Sequence, residues 1–245
     1  MSVTGGPRLS TTFRNLYSYE LDGSDDFIKS VTSFNSLPSS EDYFSTSVWF
    51  KADSLLSNHY IYHITDASNN LVTYLLLQST GRLQAFTAGS SSNWTRSAVG
   101  AIVAGQWYHL SVVYDNTVNR YSKQKIYINS SRDGVISNFF NGAFNDSDTL
   151  RLGVNSVEGS NFSGTIDEFA FWPGHAFTAS EVDGVYNGAT PSNLDEFSTP
   201  PQNWWRMGED SIWDGSKWVI PDKMGTSISL NTFNMSESSR VSDTP

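Results

Sequence analysis

The chain has no cysteine among its 245 residues. That excludes a disulfide framework, a thiolate metal site and a thiol nucleophile, and it counts against an origin as a secreted eukaryotic module. Basic residues are scarce: 15 Lys and Arg stand against 25 Asp and Glu, giving a net charge of −10. Such a surface repels a phosphate backbone, so nucleic acid is not an expected partner. No apolar run approaches the ~20 residues a membrane helix needs, so no membrane insertion is expected. The opening Met1-Ser2-Val3-Thr4-Gly5-Gly6-Pro7 carries neither a basic segment nor an apolar stretch. It does not read as a signal peptide, and Met1 reads as the start of a complete gene product. Coiled-coil heptads, long repeats and charge blocks are missing too.

What is present points to strands. Aromatic residues make up 14% of the chain and charged residues only 16%. Ser, Thr, Asn and Gly fill the intervals, as in an all-β chain with many polar turns. Trp107, His109, Ser111 and Val113 alternate with Tyr108, Leu110, Val112 and Tyr114. Strand side chains repeat every second residue, so this stretch and Lys125 to Asn129 form a hairpin on a sheet with one buried face. Further strand signals lie at Tyr19–Ile28 around an Asp22-Gly23 turn, at Ser45–Lys51, Tyr60–Thr65, Leu71–Gln78 and Gly81–Phe86, and then at Leu150–Gly153 and Phe162–Trp172. Strands this frequent indicate a two-sheet sandwich. One short helix is expected: Thr178 and Glu181 match a capping box, Val182, Val185 and Tyr186 give an apolar face, and Gly188 stops it. Three regions follow: an N-terminal arm over 1–18, the main sandwich over 19–197, and strands plus a tail over 198–245 that pack on or complete it.

Several blocks occur in an order that resembles the laminin-G-like, concanavalin A-like lectin-glucanase jelly rolls. They are Leu21-Asp22-Gly23-Ser24-Asp25-Asp26-Phe27-Ile28, Phe44 to Lys51, the Trp107 hairpin, and Leu150 to Trp172 with the Thr178 helix behind it. The resemblance implies a two-sheet antiparallel jelly roll that binds rather than catalyses. Trp204 to Glu209 and Ile220 to Gly225 resemble a motif that usually precedes the opening block in that family. Here they come last, an order that resembles structural proteins of tailed phages. On that resemblance the expected role is a non-enzymatic virion component, decorating a capsid or part of a tail fibre. It would sit at the virion surface after assembly in a host cytoplasm. Its partners would be other virion proteins and further copies of itself. The alternative is a carbohydrate-binding module that recognises host-surface glycans.

The same fold hosts glycoside hydrolases, which need two carboxyl groups about 5 Å apart for retention. Where the family's enzymes carry a leading carboxylate, this chain has Thr165, and Asp167 and Glu168 are neighbours expected on opposite strand faces. No enzyme activity is expected. His59, His63, His109 and His175 show no metal-ligand spacing and read as structural. Calcium is the cofactor the resemblance implies, held at Asp22, Gly23, Asp25 and Asp167 with Asp26 and Glu168 in reserve. Sugar sites pair aromatic faces with polar groups. The loop read over Ser90 to Arg96 makes Trp94, with Asn93 and Arg96, the first choice. Tyr60 is a further candidate, ahead of Trp172, Trp213 and Trp218, while Trp49 and Trp107 read as core.

Overall fold

A computed structural model describes residues 13–87, 94–119, 122–136 and 145–245. Its strands are β1 (Ser18–Asp22), β2 (Phe27–Ser30), β3 (Tyr43–Ala52), β4 (His59–Thr65), β5 (Leu71–Leu77), β6 (Leu83–Thr87), β7 (Trp94–Arg96), β8 (Trp107–Asp115) and β9 (Gln124–Ile128). They continue with β10 (Ser131–Arg132), β11 (Val135–Ile136), β12 (Thr149–Leu152), β13 (Ser163–Pro173), β14 (Asn203–Trp205), β15 (Ile212–Trp213), β16 (Trp218–Ile220), β17 (Leu230–Phe233) and β18 (Arg240–Val241). Helix α1 spans Ala179–Tyr186 between β13 and β14.

The strands form two antiparallel sheets, as a jelly roll requires. The eight-stranded sheet runs β10-β9-β8-β3-β13-β1-β18, with β14 also on β13. The ten-stranded sheet runs β11-β7-β6-β5-β4-β12-β2-β17-β16-β15. The main core lies between them, with Tyr108, Leu110, Val112 and Tyr114 of β8 facing Leu75 and Leu77 of β5, Leu150 and Leu152 of β12, and their neighbours. The alternation read from Trp107 to Tyr114 therefore holds, and Leu110 pairs with Ile128 across the hairpin.

The hairpin's other face is not open, contrary to the one-faced reading. Val113, Tyr127, Ala170 and Trp172 form a second apolar cluster with Val182 and Val185 of α1 and with Leu194 and Trp204. The helix caps as its sequence requires: Thr178 accepts from the Glu181 N–H, and the Glu181 carboxylate accepts from the Thr178 N–H at 2.8 Å. It ends at Asn187 in the left-handed conformation, one residue before Gly188.

The C-terminal residues are woven into both sheets. Strand β17 pairs with β2, and β16 pairs with β17. On the edge of β13, β1 lies against Ser163–Ile166 and β14 against Phe169–Phe171. Between these two partners β13 bulges, its register against β3 slipping between Asp167 and Ala170.

Candidate functional site

The outer face of the ten-stranded sheet carries a row of rings. His63 of β4 pairs with Tyr74 of β5, Tyr74 with Phe86 of β6, and Phe86 with Trp94 of β7. Their sequence neighbours Tyr62, Ile64, Leu75 and Ala85 are core, so alternation turns these rings to the outer side, where Tyr74 and Trp94 are half-buried and His63 and Phe86 buried. His63 stacks on Tyr74 at 6.2 Å and Tyr74 on Phe86 at 5.1 Å. Tyr60 meets the edges of both Tyr74 and His63 at 5.3 Å. A parallel polar row lies beside it. Arg96 donates to Gln84 at 2.6 Å, Gln84 donates to the Tyr74 hydroxyl at 2.5 Å, and the Arg96 guanidinium covers one face of Trp94 at 3.5 Å. Helix α1 and the short 3-10 turn at Leu194–Glu196 pack with the apolar cluster on the eight-stranded sheet, and the turn at Glu237–Ser239 sits beside β1.

Three of the residues singled out from sequence, Trp94, Arg96 and Tyr60, thus share one face. The reading of Trp94 and Arg96 as loop residues is corrected: they form β7, because Thr95 turns inward and bonds the Gln124 carbonyl at 3.3 Å. Asn93 lies outside the described residues. Sequence reading missed Tyr74, Gln84, Phe86 and His63. Their signal was present as the phase opposite to Leu75, Leu77 and Ala85 in their strands. Of the other tryptophans, Trp172 and Trp218 are buried, donating to the Thr199 and Ser236 carbonyls at 2.9 and 3.3 Å. Trp213 packs on Trp218 at 5.5 Å. Trp107 is half-buried rather than core, and its Nε1–H donates to Asp243 at 3.1 Å.

The expected calcium corner does not form as one site. Asp22 pairs with Ser163, which places Asp167 four residues further along β13, on the order of 13 Å away. Two acidic groups result. In the first, carboxylates of Asp22, Asp25 and Asp26 lie within 4.8 Å of one another. Asp22 accepts from the Ser24 N–H at 2.7 Å, which holds it below the usual carboxylate range. Burial, with the charges of Asp22 and Asp25, pushes Asp26 up. Asp22, Asp26, Glu20 and Asp53 line a cleft of about 190 Å³. Gly23 is required by the turn itself, with φ of 75° and Ser163 Cβ only 2.6 Å from where its own Cβ would stand.

The second group is Asp167, Glu168 and Glu209. The expectation that Asp167 and Glu168 face opposite ways is wrong, because Glu168 takes a left-handed φ of 49° at the bulge and strand alternation breaks there. Asp167 is 0% exposed and Glu168 3%. Asn15 donates to Asp167 at 2.7 Å, while Trp204 Nε1–H and Arg206 Nε–H donate to Glu168, the latter at 3.2 Å. Burial pushes Asp167 well up and Glu168 to about 8. A cavity of about 280 Å³ opens beside them, lined by Phe13, Trp204, Arg206, Glu209, Asp195 and Lys223 among others. Neither Asp167 nor Glu168 lines it.

The histidines have structural partners. His109 meets the Ser47 hydroxyl at 2.8 Å, His59 the Asn161 carbonyl at 2.7 Å, and His175 the Glu181 carboxylate at 2.7 Å.

Residues 22–183 match the family described as the concanavalin A-like lectin/glucanases superfamily, in its laminin-G form. The chain belongs to that superfamily. Among solved structures it resembles a protein of Bacteroides ovatus ATCC 8483 that has been proposed to bind carbohydrate, with a TM-score of 0.62 and 16% identity over 91% of this chain. The chain spans 60% of the length of that protein. It also resembles the heptameric SAP-like pentraxin of Limulus polyphemus, with a TM-score of 0.58 and 18% identity over 85% of this chain and 93% of the pentraxin. A third relative by fold is the CBM40 module of the Ruminococcus gnavus IT-sialidase, bound to α2,3-sialyllactose. Its TM-score is 0.50, with 11% identity over 71% of this chain and 100% of the module. A search of curated protein sequences gives no match.

Proposed function

We propose that the protein is a carbohydrate-binding module that takes a glycan on the outer face of its ten-stranded sheet. The observation that carries this is the row His63, Tyr74, Phe86 and Trp94 with Tyr60, Gln84 and Arg96 beside it. Pyranose C–H faces pack on aromatic surface, and hydroxyls need flanking donors and acceptors. The carbohydrate-binding roles assigned to two relatives by fold support the reading. The state of the buried carboxyl groups supports binding rather than hydrolysis. Asp167 and Glu168 are buried, accept hydrogen bonds from Asn15, Trp204 and Arg206, and do not line the cavity beside them. Glycan-array screening followed by titration calorimetry tests the proposal. Trp94→Ala is expected to weaken the best ligand about two- to tenfold, since an aromatic packing contact contributes about 0.5–1.5 kcal/mol. Unchanged affinity in a folded Trp94→Ala protein would reject this face.

Calcium is proposed at the Asp22, Asp25 and Asp26 cluster, without Asp167. The donor set suits it, because all three offer carboxylate oxygens close together and Asp26 lacks charge compensation there. A ligand that binds only the folded state adds about 2.7 kcal/mol at a hundredfold excess over its Kd. Calcium is therefore expected to raise the melting temperature over chelator, and Asp26→Asn to remove the difference. Identical midpoints with calcium and chelator would sink this assignment.

The finer reading, a phage virion component that displays this face, draws on the order of motifs. Trp204 to Glu209 and Ile220 to Gly225 follow the main blocks instead of preceding them. Mass spectrometry of purified particles from the source culture checks it, and absence of the chain from every particle fraction would reject it.

A further inference from the structure

We infer that the glycan bound on this face is anionic, and that Arg151 and Lys29 receive its carboxylate or sulfate groups. The inference rests on the proposed glycan site and adds the chemical class of its ligand. The row of rings does not end at His63. It continues in register to Arg151 of β12, then to Lys29 of β2 and Asn231 of β17. Leu150, Leu152 and Ile28 are core, so alternation turns Arg151 and Lys29 to the same outer side as the rings. Four strand spacings, ~19 Å, separate Trp94 from Arg151, and one more reaches Lys29. An extended oligosaccharide lying across the strands meets rings at one end and cations at the other.

Arg151 is only 7% exposed. A buried guanidinium is costly unless it is paired. Its Nη1 donates to Thr65 Oγ1 at 3.1 Å, and its Nη2 stands 3.5 Å from Asn69 Oδ1, while its Nε has no partner. Both partners are neutral, and most of its five donors stay unused. Burial pushes its pKa down, and the charges of Glu158 and Asp148 offset only part of that, since neither forms an ion pair with it. Among the described residues Lys29 and Arg96 have no ion pair either. The pairs that do form use Lys51, His175, Arg206, Lys217 and Lys223, all away from this row. A chain with 25 Asp and Glu against 15 Lys and Arg has carboxylates to spare. Leaving three cations of one face without one suits an anion that comes from outside. A guanidinium fork matches carboxylate or sulfate through paired N–H bonds, and the Lys29 ammonium supplies a point charge. Between these cations and the rings stands His63, which burial and the charge of Arg151 push down to about 4, so it adds no charge of its own.

Titration calorimetry with the full chain tests this, using an oligogalacturonate, a sulfated carrageenan oligosaccharide and a neutral cello-oligosaccharide. At least one anionic probe is expected to bind tenfold or more tightly than the neutral one, and to weaken as salt rises. The two anionic arms tell carboxylate from sulfate. Arg151→Gln is expected to cost the preferred anionic probe about tenfold, the scale of a charge-assisted hydrogen bond. Arg151→Lys should recover part of that loss. Lys29→Gln, at a half-exposed position, reads the same charge if Arg151→Gln fails to fold, with an expected loss of about threefold. Neutral and anionic probes binding equally, with neither variant changing the affinity, would overturn the inference and leave the glycan site standing. Silence with every neutral and acidic glycan would remove the glycan site, and this inference with it.

Discussion

Glu168 is the residue where backbone and charge are both held away from their easy states. Its φ of 49° is one a non-glycine residue adopts at a cost, and its carboxyl is buried beside Asp167 and Glu209. Trp204 and Arg206 tie it in place. The sign of its contribution follows from its titration. Its pKa is raised from 4.5 to about 8, by burial before any other cause. The protonated form is the one the fold favours, so the stabilisation is complete below pH ~4.5 and is lost as pH rises through about 8. Glu168→Gln removes the charge while keeping the shape. It is expected to melt higher than the parent at pH 8, by a few degrees for on the order of 1 kcal/mol, and at the same temperature near pH 4. Equal pH slopes in thermal scans of the two proteins would show Glu168 ionised throughout, held so by Arg206. His109 works in the opposite sense. Burial pushes it down to about 3, so its contribution is present above its ordinary value near 6.5 and fades as acid is added.

Among the elements, the late strands carry more of the fold than their length suggests. Trp205, Met207, Trp218, Ile220, Leu230 and Met235 all belong to the main core, and Trp204 to the second cluster. A chain cut before Asn203 is expected to lose its cooperative melting transition, followed by circular dichroism, because β2 and β13 each lose a pairing partner. A sharp transition in that truncated chain would show the remaining strands to be self-sufficient. Local rules made much of this architecture readable beforehand. The alternation from Trp107 to Tyr114 and the Thr178–Glu181 capping box depend on neighbours in sequence, and both hold. What local rules could not reach was set at a distance. The bulge at Asp167–Glu168 forms where β1 gives way to β14, two strands far apart in the chain, so strict alternation put the carboxylates on opposite faces. The burial of Trp172 and Trp218 depends on carbonyls at Thr199 and Ser236. The candidate site was half visible for the same reason. Trp94, Arg96 and Tyr60 could be picked one by one, but the row that gathers them with Tyr74, Phe86 and Arg151 exists only once five strands stand side by side.

At the scale of the whole molecule the two outer faces have different fates. One lies under α1 and its cluster around Trp172, and the other carries the rings and the cations that form no ion pair among the described residues. The seam beside β1 has a mechanical consequence. Ser18 pairs with Val241 and Tyr19 with Arg240, so the first and last strands of the described chain meet in an antiparallel ladder. Asp243 fastens them, accepting from the Ser18 hydroxyl at 2.5 Å through its carbonyl and from Lys51 and Trp107 through its carboxylate. Tension applied through both ends would peel this ladder one bond at a time instead of shearing many at once.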